Sequence, residues 1–289
     1  MGKFFNITVK PTITASIQHT AVFDDQDLLF DWTAFNVPKG ASKLINVTAL
    51  IRGTDGARQA FAMNLYFAKT LNNTAPGSLG TLHATADGTG YQNHLLGAWQ
   101  IEESDYIGST GSDIMTVSSA RYQITAGTDN RSESQVIMPI VLQGEPESGS
   151  NVGYDKLYIG CVTPDGGARF STAVVTSQIV DVSGISAAQL VDADLQGTDP
   201  RLVFAPGDIV HAQDDIILGE VLSIPDANTI NFKTDGSIQR HAGGEVLFTN
   251  PDGFANWQIQ NGAGTAGDIA SGEELYNLHP ITLILQFEK

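Results

Sequence analysis

The chain has a single cysteine, Cys161, in 289 residues, so no disulfide can form within it. Its neighbours, "DKLYIGCVTP", read as a strand, where a free thiol behaves as a small buried apolar group. Basic residues are scarce too: 15 Lys and Arg against 32 Asp and Glu give a formal net charge of −17. Such a surface repels nucleic acid, whose binding depends on neutralising phosphates with Lys and Arg, and it repels anionic membranes for the same reason. No apolar run approaches the roughly 20 residues that a membrane-spanning helix needs. The opening "MGKFFNITVKPTITASIQ" has no apolar signal-peptide core, and Asn6 stands where a myristoylation motif requires Ser or Thr. The G-x-S-x-G elbow, the P-loop, H-E-x-x-H, coiled-coil heptads and a fixed-period repeat are all missing.

What the chain does contain is turn residues and alternation. Hydrophobic residues make up 42%, enough for a packed core, and 30 Gly with 11 Pro are spread along the length. Period-2 patterns dominate, and together these features predict an all-β fold. Phe5, Ile7 and Val9 share one face, Pro11 interrupts, and Ile13, Ala15 and Ile17 continue the pattern. Ile45, Val47, Ala49 and Ile51 form a second face. After "GTDG", Phe61, Met63, Leu65 and Phe67 form a third, so this pair reads as a hairpin. "TPDGG" reads as the turn between two further strands. The last run, "ITLILQFEK", places Ile281, Leu283, Leu285 and Phe287 on one face and needs a sheet to join, expected beside an N-terminal strand.

Texture changes near residue 183. Ser186 and Gln189 have capping-box spacing, so "AAQLVDADL" predicts one short helix ended by "GTDP". Short strands at about 207–212, 216–224, 228–233 and 244–249 predict a small SH3-like barrel, filled by Ile209, Leu218, Leu222, Ile230, Phe232, Val246 and Phe248. The expected organisation is a β-sandwich over 1–183, the helix and inserted barrel over 184–253, and a loop with a returning strand over 254–289.

Two acidic groups have the residue types of a cation site. Asp208, Asp214 and Asp215 lie near His211 and His241, and Asp24, Asp25 and Asp27 form an Asp-x-Asp run. Oxygen-rich loops of this kind hold calcium, but the spacing fits no standard zinc pattern and lacks the distal Glu of a helical calcium loop; turn acids are the plainer reading. No catalytic residue, cofactor or metal is therefore assigned. Tyr91, Trp99, Tyr106, Phe254 and Trp257 fall in loop-like stretches, where aromatics either stack on sugars, anchor a protein interface or plug the end of a core. Phe4, Phe5 and Ile7, in the apolar run from Phe4 to Val9, suit either strand addition to a partner or pairing at home.

The stretches "NVPKGASKLINVTALIRGTDG", "LYFAKTLNNTAPGSLGTLHATADGTGYQNHLLG" and "ISAAQLVDADLQGTDPRLVFAPGDIVHAQDDIILGEVLSI" resemble virion structural proteins of tailed phages, particularly those of marine and cyanobacterial hosts. The closest likeness in kind is to capsid decoration, or cement, proteins. The resemblance implies a rigid, non-enzymatic β scaffold on the capsid exterior, assembled in the bacterial cytoplasm and bridging capsomers of the major capsid protein as a homo-oligomer, for instance a trimer. It carries no functional residue across. A receptor- or glycan-binding module of tail, neck or fibre is the alternative, with Tyr91, Trp99 and Trp257 as its stacking platform.

Overall fold

A computed structural model describes residues 2–19, 22–52, 60–108, 115–118, 139–146, 153–168, 170, 174–176, 180–181, 189–192, 195–196, 199–212, 217–227, 229–232, 239–240, 246–248, 257–258, 268–269 and 274–289. In chain order the strands are β1 Phe4–Val9, β2 Leu28–Pro38, β3 Ser42–Ile51, β4 Met63–Lys69, β5 Leu95–Ile101, β6 Tyr106–Gly108, β7 Met115–Ser118, β8 Ile140–Leu142, β9 Glu145–Pro146 and β10 Tyr154–Val162. They continue with β11 Val174–Thr176, β12 Val180–Asp181, β13 Gln189–Asp192, β14 Leu195–Gln196, β15 Ile209–Ala212, β16 Ile217–Asp226, β17 Thr229–Phe232, β18 Gln239–Arg240, β19 Val246–Phe248, β20 Trp257–Gln258, β21 Asp268–Ile269, β22 Glu274–Asn277 and β23 Ile281–Glu288. Two short α-helices are described, α1 Ala15–His19 and α2 Pro200–Val203. The fold is all-β and its sheets are antiparallel. No described helix is long and apolar enough to cross a membrane.

The first sheet runs β1-β23-β3-β7-β6, with β8 also on β3; the second runs β2-β10-β4-β5, with β9 on β10. Their apolar faces share one core: Val47, Ala49, Leu283, Leu285 and Phe287 of the first sheet pack in one cluster with Leu65, Phe67, Leu157, Ile159 and Trp99 of the second. The final strand sits where its alternation requires, between β1 and β3, with Leu285 opposite Ile7 on one side and Val47 on the other.

The expected hairpin between β3 and β4 does not form: β3 pairs with β23, β7 and β8, whereas β4 pairs with β10 and β5. Two strands with matching apolar faces bury them equally well as neighbours or as opposed layers, and here they are opposed layers. The "TPDGG" turn is present, with Gly166 and Gly167 at φ +68° and +81°, but β10 and β11 on either side join different sheets.

A seven-stranded sheet, β13-β17-β16-β15-β22-β11-β14, takes up the later chain and draws strands from all three expected ranges. The predicted small barrel is corrected here: the described strands form an open sheet with β13 and β14 at its ends rather than closing on themselves. Its inward set is corrected in part, the side chains of Leu218, Phe232, Val246 and Phe248 lying outside the described residues. Ile230 is buried, but Val210 and Val221 point inward in place of Ile209 and Leu222, and Leu222 is 50% exposed. Register shifts between Val210 and His211 and between Val221 and Ser223 change the facing by one residue, which exchanges the two sides of a strand.

The predicted helix over "AAQLVDADL" is a further correction. Gln189–Asp192 form β13, paired residue for residue with β17, and cross-strand pairing of Leu190 and Val191 outweighs a capping pattern. The helix starts instead at "DP": Asp199 accepts the Arg201 N–H at 3.0 Å and Pro200 occupies the first turn, an N-cap followed by proline. Near the N-terminus, Ala15 and Ile17 lie in α1 rather than in a strand.

Candidate functional site

In β1, Phe4, Asn6 and Thr8 are exposed while Phe5, Ile7 and Val9 face inward, and Phe5 stacks on Phe287 with centroids 5.2 Å apart. The strand pairs within its own sheet, as one of the two readings of "FFNITV" required. Residues directly opposite on paired strands share a face, so the ladder defines a row across the sheet: Phe4 opposite Glu288, Glu288 opposite Lys43, Lys43 opposite Val141. Phe4 is 70% exposed and Val141 63%, the two most exposed large hydrophobic side chains among the described residues. Between them Lys43 Nζ and Glu288 Oε2 form an exposed ion pair at 3.4 Å. With strands about 4.8 Å apart, the two apolar side chains stand on Cα atoms roughly 14 Å apart.

Lysines surround this row. Lys3 and Lys289 exchange backbone hydrogen bonds at 3.1 and 2.9 Å, and Lys289 Nζ donates to the Lys39 carbonyl at 2.5 Å. Lys3, Lys39, Lys43 and Lys289 are all exposed. The first acid in the chain is Asp24. One corner of a strongly acidic protein is therefore rich in lysine and carries the two most exposed large apolar side chains among the described residues.

The predicted aromatics are not brought together. Trp99 is 3% exposed, inside the shared core, which corrects its placement on the surface. Tyr91 lies on the other face of the second sheet, edge-on to Trp32 at 5.9 Å, in a cluster with Tyr66, Leu28, Leu79 and Val162. Trp32 Nε1 donates to the Gly77 carbonyl at 2.8 Å. Trp257 pairs with Phe248 through the backbone, and its side chain, like Phe254, lies outside the described residues. Tyr106 donates its hydroxyl to the Phe61 carbonyl at 2.9 Å, and burial pushes its pKa well up. Alternation in the sequence sets Leu28, Phe30 and Trp32 on one face, and the structure splits them, with Phe30 in the shared core and Trp32 beside Leu28 in the outer cluster; Val141 is marked only by its register.

The acids resolve into structural roles. Asp27 Oδ2 accepts the Asp24 N–H at 2.9 Å and faces His83 Nδ1 at 3.8 Å, and Thr163 Oγ1 donates to the Asp24 carbonyl, so "FDDQD" closes on itself as a turn with Gln26 at φ +63°. Asp208 is buried. Its Oδ1 takes Lys10 Nζ at 3.2 Å; its Oδ2 takes Arg52 Nη1, Asn277 Nδ2 at 2.9 Å and the Ala205 N–H at 2.9 Å. Nearby, His279 Nδ1 donates to the Pro11 carbonyl at 3.1 Å, and burial lowers its pKa. His211 is buried in β15, and Asp214, Asp215 and His241 lie outside the described residues. Among the described residues, no three His, Cys, Asp or Glu are placed to share a metal.

Beneath the basic corner, Asp155 is buried, and its Oδ2 accepts the N–H of Gly40, at φ +97°, at 2.8 Å. Ser42 Oγ is buried with no hydrogen-bond partner among the described residues. A desolvated hydroxyl with no partner costs about 1–3 kcal/mol, so Ser42→Ala should raise stability by roughly 1 kcal/mol, read as a higher urea midpoint. A lower midpoint would show the hydroxyl to be bonded in solution. Neither a scan against models of known protein families nor a search of curated proteins finds a match to this chain.

Proposed function

We propose that this chain is a structural virion protein that decorates and stabilises a phage capsid by bridging capsomers of the major capsid protein. In this reading it is not an enzyme, uses no cofactor, and works as a homo-oligomer on the outer face of the shell after assembly in the bacterial cytoplasm. The observation that carries it is the row Phe4–Glu288–Lys43–Val141, which presents two exposed apolar anchors on the surface of a sheet whose other face is locked into the core. The phage resemblance supplies the kind of partner. Binding only to the assembled lattice stabilises that state by mass action, and many copies multiply a modest affinity.

Burying one large apolar side chain stabilises a complex by about 1.5–3 kcal/mol, and 1.4 kcal/mol is tenfold in affinity. The double variant Phe4→Ser, Val141→Ser should therefore lose at least about tenfold in affinity for mature shells in co-sedimentation. Its unfolding midpoint should hardly move, because both side chains are already in water. The wild-type chain should saturate mature shells and ignore unassembled subunits; failure to bind shells would reject the reading.

A second reading, a glycan-binding virion module, is favoured by one observation: Trp32, Tyr66 and Tyr91 gather on the outer face of the second sheet. It requires binding on a glycan array that Tyr91→Ala reduces.

A further inference from the structure

We infer that the surface recognised by the Phe4–Val141 face is acidic, and that opposite charge admits the protein to the shell in one orientation only; this rests on the capsid reading above. The apolar pair alone is directionless. What gives it direction is its setting. Lys3, Lys39, Lys43 and Lys289 form one linked group, through the Lys3–Lys289 backbone bonds, the Lys289–Lys39 bond and the adjacency of Lys43 to Glu288. Among the described side chains of that group Glu288 is the one acid, and it is matched by Lys43; the nearby Asp155 carboxylate is buried behind the Gly40 turn. Lys3 and Lys39 are exposed, and their ammonium groups are engaged by no other described residue.

The chain as a whole carries −17, so the part outside this corner is more acidic still. Against an acidic lattice the acidic remainder, taken as a whole, is repelled, and this corner is attracted. Like charge thus excludes the wrong orientations while opposite charge accelerates the right one. A basic partner would be drawn to the acidic remainder and leave Phe4 and Val141 in water, and a neutral one would be given no orientation. The occupant that fits is the acidic outer surface of the assembled capsid lattice, with apolar depressions for the two anchors and carboxylates around them.

The experiment compares the wild-type chain, Lys3→Glu/Lys39→Glu, and Phe4→Ser/Val141→Ser on two probes, mature shells and immobilised poly-L-glutamate, between low salt and 1 M salt. Screening lengths fall from about 10 Å at 0.1 M to about 3 Å at 1 M, so wild-type binding to both probes should weaken steeply with salt. The lysine variant should bind shells at least tenfold more weakly at low salt and lose polyglutamate. The apolar variant should lose shells but keep polyglutamate. Circular dichroism of the lysine variant should match wild type, since both side chains are exposed and no described residue engages either.

Shell binding that ignores salt and survives Lys3→Glu/Lys39→Glu would overturn the inference and leave the capsid reading standing. Polyglutamate binding without shell binding would overturn the capsid reading and leave the acidic-partner inference standing. If sedimentation showed self-association of the wild type that the lysine variant abolishes, the occupant would be the acidic flank of a second copy, and assignment to the shell would fall.

Discussion

Asp208→Ala should destabilise the protein by about 3–5 kcal/mol, the loss expected when one member of a buried charge network is removed and its partners are left behind. The carboxylate is buried and accepts from four donors, two of them cationic. Arg52 is only 18% exposed in its side chain and carries most of the penalty; Lys10, at 35%, turns partly to water and carries less. The donors come from separate parts of the chain. Lys10 follows β1, Arg52 follows β3, and Asn277 ends β22, so one carboxylate ties the first sheet to the seven-stranded sheet. Asn277 extends the tie, donating to the Val203 carbonyl while Gln18 of α1 donates to the Asn277 carbonyl. The exposed Asp199–Arg201 pair is the contrast: its side chains are largely in water, where solvent screening leaves such a pair little effect on stability. Urea unfolding of Asp208→Ala, Asp208→Asn and wild type reads the difference. A loss below about 1 kcal/mol for Asp208→Ala would mean that the cations find other partners and that the tie is not structural.

Local patterns mark the strands, and for β23 also its N-terminal neighbour β1, but not the rest of the pairing. The alternation of "ITLILQFE" shows directly in the burial of Ile281, Leu283, Leu285 and Phe287. The same rule fails by one residue at Ile45, because a register shift opposite Gln286 and Phe287 turns Leu44 inward and leaves Ile45 half-buried. The bulge at Leu44–Asn46 contains no glycine that would mark it in the sequence, and it shows only in the pairing with β23. Helix signals misled for a related reason: capping spacing at Ser186 and Gln189 is a local preference of small size, and four cross-strand pairs to β17 outweigh it. Asp208 reads in sequence as a turn acid. Its character comes from Lys10, 198 residues away, and Arg52, 156 away, contacts that no spacing rule reaches. The Phe4–Val141 row is hidden for the same reason, since it needs the registers of three ladders at once.

Removing residues 281–289 should have a still larger effect: the shortened chain should show no cooperative unfolding transition. β23 is an interior strand of the first sheet, paired with β1 on one side and β3 on the other. Its loss strips both ladders at once and exposes two edges of a sheet whose inner face is apolar. It also removes four fully buried side chains, Ile281, Leu283, Leu285 and Phe287. At about 1.5–3 kcal/mol each, these alone contribute roughly 6–12 kcal/mol, against a typical net stability of about 5–15 kcal/mol. The single variant Leu285→Ala should lose about 2–5 kcal/mol and still fold, because its ladder stays intact. Adding the peptide "ITLILQFEK" to the shortened chain should restore the transition, since the slot between β1 and β3 supplies hydrogen bonds on both sides and an apolar floor beneath. A shortened chain that melts cooperatively near the wild-type temperature would show that β1 and β3 close on each other without β23, and that the shared core is held from the second sheet alone.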